Sequence, residues 1–183
     1  MKRIYVVLFS VFVIASGNSQ KYFSKNAIVR FHSESKVEKI EALNTTASTV
    51  FDKSTGKVEF AALNNAFVFE KALMQEHFNE NYMESTKYPK TIFKGKVLDA
   101  DKLDLTKPGV SKVTVEGDMT MHGVTKPVTA MGQITVDAKG VHVESKFKVK
   151  CSDFNIEIPS VVKNSISNDI DVSVKIDYNL LNK

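Results

Sequence analysis

Residues 141–152 read Val-His-Val-Glu-Ser-Lys-Phe-Lys-Val-Lys-Cys-Ser. Val141, Val143, Ser145, Phe147, Val149 and Cys151 alternate with His142, Glu144, Lys146, Lys148, Lys150 and Ser152. A period of two puts successive side chains on opposite faces of an extended chain, so this stretch is a strand with one dry face and one wet face. The same holds at 111–121, where Val113, Val115, Gly117, Met119 and Met121 alternate with polar residues. It holds again at 169–180 through Ile170, Val172, Val174, Ile176, Tyr178 and Leu180. Half-buried strands of this kind typically pair antiparallel.

Weaker alternation predicts further strands at 25–32, 36–43, 46–52, 57–69, 91–99 and 127–138. Turn signals separate them: Asp52-Lys53-Ser54-Thr55-Gly56, Lys107-Pro108-Gly109, His122-Gly123 and Ala138-Lys139-Gly140. About eight or nine strands at this spacing make a sandwich or a closed barrel. Residues 70–84 break the pattern. Leu73, Met74, His77 and Phe78 fall at helical spacing and predict a short helix, which Tyr88-Pro89 stops before the next strand.

The chain has 183 residues, 43% of them hydrophobic and 25% charged. That is one ordinary globular domain; wholesale disorder, collagen and disulfide scaffolds are excluded. The first residues stand apart. Lys2 and Arg3 precede an apolar run from Ile4 to Ile14, and Ala15-Ser16-Gly17-Asn18-Ser19-Gln20 follows. This is the pattern of a secretory signal peptide, with an apolar run too short to span a bilayer. Cleavage after Ser19 is expected, with Gly17 as the alternative, leaving 20–183 as one domain, periplasmic or secreted. Lys2 and Arg3 supply two of the four net positive charges. In the remainder Lys alternates with Glu and Asp as on a solvated surface, so no nucleic-acid partner is expected.

Catalytic patterns are missing. His32, His77, His122 and His142 have no partners at metal-ligand spacing, and Cys151 has no second cysteine. Each histidine reads as structural, His122 as part of a Met-His-Gly turn and His77 as a half-buried helix residue. Cys151 continues an apolar register and reads as a small core residue. Ser54-Thr55-Gly56-Lys57 resembles part of a phosphate loop, but it lacks the upstream glycine and lies between strands, so it is a hairpin turn. Asn44-Thr45-Thr46 matches a glycosylation sequon. No catalytic residue, metal or cofactor is assigned.

A transmembrane barrel would carry its apolar band outside. Here the polar faces are long and charged, as in Lys146-x-Lys148-x-Lys150, and an eight-stranded interior has room only for side chains or one small ligand. The apolar faces therefore point inward, and the barrel is soluble rather than membrane-spanning; any membrane contact is transient. Several inward positions are small: Gly95, Gly117, Ala130, Gly132, Ala138 and Ser145. These mark either corners of the barrel or space left for a ligand.

Three stretches carry a family resemblance. One is Gly117-Asp118-Met119-Thr120-Met121-His122-Gly123-Val124-Thr125-Lys126-Pro127-Val128. The second runs from His77-Phe78-Asn79-Glu80-Asn81-Tyr82-Met83-Glu84-Ser85 through Tyr88-Pro89 to Ile92-Phe93-Lys94-Gly95. The third is the Asp52 to Phe60 turn and strand before Phe67 and Phe69. The sequence resembles the YceI-like family of secreted bacterial polyisoprenoid- or lipid-binding proteins over 22–181. The resemblance implies an all-β, lipocalin-like antiparallel barrel of eight strands or so, with a long apolar tunnel. It also implies a non-catalytic role binding a polyisoprenoid, an isoprenoid quinone or a fatty-acyl amphiphile. Phe67, Phe69, Leu73, Met74, Phe78, Met83, Phe93, Met119, Phe147 and Phe154 are the candidate lining, and the helix at 70–84 caps the mouth. Motif position makes His77 and Lys126 the candidate headgroup contacts. The alternative is a stress-response or interaction protein, its barrel filled by side chains and its loops binding a protein partner.

Overall fold

The computed structural model describes residues 20–35 and 37–181; the segment read as a signal peptide lies outside the described residues. The elements in chain order are β1 (Lys21–Glu34), β2 (Lys39–Asp52), β3 (Lys57–Leu63), β4 (Val68–Phe69), α1 (Ala72–His77), β5 (Lys90–Val97), β6 (Gly109–Met121), β7 (Val124–Asp137), β8 (Gly140–Lys150) and β9 (Asp169–Leu180). The sheet order is β1-β9-β8-β7-β6-β5-β3-β2, and β1 also pairs with β2. Every pairing is antiparallel, so these eight strands close into a barrel and leave no free edge. β4 is a two-residue strand laid on β2 through Ala42–Phe69 and Leu43–Val68.

The alternating faces fall as the sequence dictates. Charged residues of β8 and β9 form ladders outside, with Lys148 to Asp171 and Lys175 to Glu144 each at 2.7 Å. The apolar residues of the same strands face the interior. This polarity is the inverse of a membrane-spanning barrel.

Two strands depart from simple alternation. In β1 the buried residues are Tyr22 and Ser24, then Ala27, Val29 and Ser33. In β2 they are Ala42 and Asn44, then Ala47, Thr49 and Phe51. Each set switches from even to odd positions where the β1–β2 register shifts. An extra residue in a strand does this, because it turns every later side chain to the other face. The expected pair of strands at 36–43 and 46–52 is therefore one bulged strand. Asn44 holds the bulge: its Nδ2 donates to Leu63 O at 2.9 Å, and its Oδ1 accepts from Thr46 N at 2.8 Å. It is 0% exposed, so the sequon there is closed to a glycan in the folded protein.

The expected strand 57–69 is also divided. Asn64 is buried, donates from Nδ2 to Tyr88 O at 2.7 Å and accepts from Thr91 Oγ1 at 2.9 Å. These bonds pull the chain out of β3 into a 3-10 turn before β4. The predicted helix at 70–84 is shorter than its pattern: α1 ends at His77 and a π turn covers Phe78–Tyr82. The Asp52–Gly56 stretch is a hairpin turn, in which Asp52 Oδ1 accepts from Ser54 N at 3.0 Å and Ser54 Oγ at 2.6 Å.

The ends of the barrel differ. Where β1 begins and β9 ends, the rings of Tyr22, Phe51 and Tyr178 pack together with centroids 6.3 Å apart, and Ala100, Leu103 and Leu105 from the β5–β6 connection are buried in the same core cluster. That end is plugged. The other end carries the β1–β2 turn, α1 and the 151–168 connection between β8 and β9.

Candidate functional site: an apolar cavity open at one end

The barrel encloses a cavity of about 440 Å³, within the usual range of small-ligand sites. Its wall runs from Phe51, Val113, Ile134 and Tyr178 at the plugged end to Met74, His77, Ile158, Val162 and Ile166 at the other. From Tyr178 to Ile170 along β9 is eight residue steps, about 26 Å of strand at 3.3 Å each. With the usual strand tilt this is a depth of about 20 Å.

Polar atoms in the deep wall are bonded to the wall itself. Thr49 Oγ1 donates to Glu59 O at 2.8 Å, which leaves Tyr178 Oη to donate to Thr49 at 3.1 Å. Burial pushes the Tyr178 phenol up to about 12, so it stays neutral. Ser145 Oγ donates to Met131 O at 2.7 Å, and Thr91 to Asn64 as above. The interior therefore presents hydrocarbon. Cys151 lies in this wall, and burial raises its thiol to about 11, which keeps it protonated and a poor nucleophile at neutral pH. At the mouth stand His77 and Glu38, the latter tied to Lys71 Nζ at 3.3 Å.

Nine of the twelve residues picked from sequence line the cavity: Phe67, Phe69, Met74, His77, Phe78, Met83, Phe93, Met119 and Phe147. Phe78 is central among them. It packs on Phe31, Phe67 and Phe69 at 5.5, 5.7 and 5.0 Å and fixes α1 over the wall. The π turn, closed by Met83 N donating to Phe78 O at 2.8 Å, brings Phe78, Tyr82 and Met83 all to the cavity side.

Three residues lie elsewhere. Leu73 is 61% exposed, about a quarter turn around α1 from the Met74–Phe78 stripe. Lys126 is exposed on the β6–β7 hairpin, off the cavity wall. Phe154 is 2% exposed in a side cluster with Met83, Met119 and Ile156, because a 3-10 turn at Cys151–Phe154 ends the period of two that β8 obeys. Of the small positions, Ala130 and Ser145 line the cavity, but Ala138 is exposed in the β7–β8 turn. Gly95 and Gly117 face each other across β5 and β6, where a side chain on either would collide with the partner backbone or the Phe93 ring. They are a close approach of strands rather than ligand space.

Phe31, Glu38, Ile158, Val162 and Ile166 also line the cavity without having been singled out. Phe31 follows the β1 bulge, which hides its phase, and 156–166 has no regular period to read. His122 is a latch between segments rather than a cavity group. At φ +51° it joins Phe154 O through Nδ1 at 3.1 Å and Glu84 Oε2 through Nε2 at 2.8 Å, with Tyr88 edge-on to its ring at 4.7 Å. Among the described residues no cluster of His, Cys, Asp and Glu could hold a metal ion, and no helix is long and apolar enough to cross a membrane.

A closed antiparallel barrel that keeps an apolar cavity open at one end is the architecture of barrels that hold a single small ligand. The chain belongs to the YceI-like family, whose domain model matches residues 18–178. Protein YceI of Shigella flexneri is 34% identical over 85 residues, 42% of this chain and 39% of that protein. Protein YceI of Escherichia coli O157:H7 is 33% identical over 85 residues with the same coverage. The chain thus aligns with about two fifths of the length of these curated relatives. Among solved structures, a polyisoprenoid binding domain from Saccharophagus degradans implicated in plant cell wall breakdown superposes with a TM-score of 0.77 at 16% identity, over 89% of this chain and 99% of that one. BcnA of Burkholderia cenocepacia gives 0.67 at 15% identity, over 81% and 94%. A Campylobacter jejuni YCEI protein gives 0.55 at 17%, over the whole of both chains. At these identities the likeness is one of fold.

Proposed function

We propose that the protein binds and carries one long-chain apolar molecule in the barrel: a polyisoprenoid, an isoprenoid quinone or a fatty-acyl amphiphile. It does so in the periplasm or outside the cell, after residues 1–19 direct its export and are removed. The observation that supports this best is the wall itself, about 20 Å deep, lined mainly by apolar side chains and with the deep polar groups of Thr49, Tyr178 and Ser145 bonded within the protein. The polyisoprenoid-binding neighbour agrees with it. Burying a CH₂ group is worth about 0.8 kcal/mol, so a chain of about fifteen resists release into water by about 12 kcal/mol. A barrel that shields the chain lowers that barrier with no catalytic residue. The Phe67–Phe69–Phe78 cluster grips the chain near the mouth, and His77 and Glu38 are the ionisable groups that meet its headgroup.

The alternative, a partner-binding protein, requires a barrel filled by its own side chains, and the 440 Å³ cavity counts against it. The test is native mass spectrometry of protein purified from its exporting host without detergent, then organic extraction. The expected result is a stoichiometric adduct of several hundred daltons with polyprenyl or acyl fragments. A barrel that stays empty and also takes up neither retinol nor a fluorescent acyl chain overturns the carrier reading.

A further inference from the structure

Three large apolar side chains stand out into solvent at the open end. Val37 in the β1–β2 turn is 71% exposed, Leu73 on α1 is 61% exposed, and Val161 in the β8–β9 connection is 89% exposed. They come from three separate parts of the chain, yet each is the immediate neighbour of a cavity-lining residue: Glu38, Met74 and Val162. The three segments are also tied together around the opening. Lys71, at the start of α1, pairs with Glu38, and Ser167 N donates to Ser33 Oγ at 3.0 Å. Val68 is also 63% exposed, but it lies on the outer face of the sheet paired with Leu43 of β2; Met131 on the outer wall and Val110 at the plugged end have no opening beside them.

We infer that this rim docks on the surface of a lipid bilayer by inserting Val37, Leu73 and Val161, so that the cavity mouth faces the membrane interior. The area of the rim chooses the occupant. Three side chains expose a few hundred Å², short of the about 800 Å² per partner that a stable protein interface buries. A bilayer has no such threshold, since each inserted apolar group adds to the partition on its own. Of the rim charges, Lys39 pairs with Glu34 at 3.5 Å and Lys71 with Glu38, while Lys163 beside Val162 is exposed. Docking by apolar insertion needs no anionic lipid, so zwitterionic lipid suffices. It gives the carrier what its cargo needs: an apolar chain that moves between bilayer and cavity through a seated mouth does not cross water. The inference extends the carrier reading, but the docking itself is measurable without cargo.

The experiment uses phosphatidylcholine vesicles, the full mature chain and the triple variant Val37→Asp, Leu73→Asp, Val161→Asp. None of the three residues lines the cavity. Wild type is expected to float with the vesicles equally at low and high salt, and to give up bound retinol at a rate that rises with vesicle concentration. The triple variant is expected to lose flotation and slow transfer at least tenfold, with equilibrium retinol binding unchanged. Wild type that stays with the lipid-free protein, or a triple variant that floats as well, overturns the inference. So does a wild-type dimer in sedimentation that the triple variant dissolves, which would assign the rim to a second copy. Failure of the carrier reading looks different: no retinol binds, while flotation still reports on docking.

Discussion

The two ends of the barrel are built from the same strands and do opposite things. At the plugged end the connections turn inward: Leu103 and Leu105 are buried in one cluster with Tyr22, Phe51 and Tyr178. At the open end they turn outward, and Leu73 and Val161 are left in solvent although Met74 and Val162 beside them reach the cavity. One end carries stability and the other carries access. The split is physically sensible, since a cavity removes packing contacts and the loss must be made up where no ligand passes.

The comparison can be broken most directly with one substitution made at both ends. Leu103→Ala empties a buried site and is expected to cost about 2–5 kcal/mol. In a domain of this size that lowers Tm by roughly 4–20 °C, measurable by circular dichroism. Leu73→Ala removes the same atoms from an exposed site and is expected to change stability by no more than about 0.5 kcal/mol. Equal losses at the two ends would dissolve the division. Ala130→Phe sharpens it from inside. Ala130 lines the cavity, so a ring there takes the guest's place. Retinol affinity should fall more than tenfold while Tm holds or rises; unchanged affinity would mean that the guest sits elsewhere.

The same division governs how much was legible in the sequence. β6, β8 and β9 were readable because a one-sided wall imposes a strict period of two over ten or more residues. β1 and β2 were not, because a bulge in each reverses the phase midway, and bulges follow from strand pairing, which a single strand does not display. Wall residues such as Phe93, Met119 and Phe147 were legible for the same reason as the strands. The mouth was harder. Leu73 and Met74 are adjacent and similar in chemistry, and only the docked position of a six-residue helix decides which one faces the cavity. Phe154 falls outside the odd-numbered dry face of β8, and only the 3-10 turn after the strand, which has no period to read, decides that it joins the cluster with Ile156.

The smallest expected effect lies on the outer face, away from both ends. His142 Nδ1 meets Asp177 Oδ1 at 2.6 Å and Nε2 meets Asp137 Oδ1 at 3.2 Å. The bond to Asp177 raises the imidazole above its ordinary value of 6.5; desolvation opposes it, and the bond to Asp137 and the charges of both carboxylates add to the rise. A raised folded-state value means that the folded protein holds the proton more tightly than the unfolded chain. The resulting stabilisation is fully present below about pH 6.5 and is lost as pH rises through the higher folded value. Both ring nitrogens sit at the surface, so water and salt screen the pair and the contribution is slight. Urea midpoints measured across that pH range should fall a little in wild type and flatten in Asp177→Asn, where the first and larger cause is gone. Retinol affinity should not follow the same curve, because β8 presents His142 outside and Phe147 inside. An affinity that tracked this titration would mean that the outer face communicates with the cavity, and the wall would then have to be treated as a jointed one.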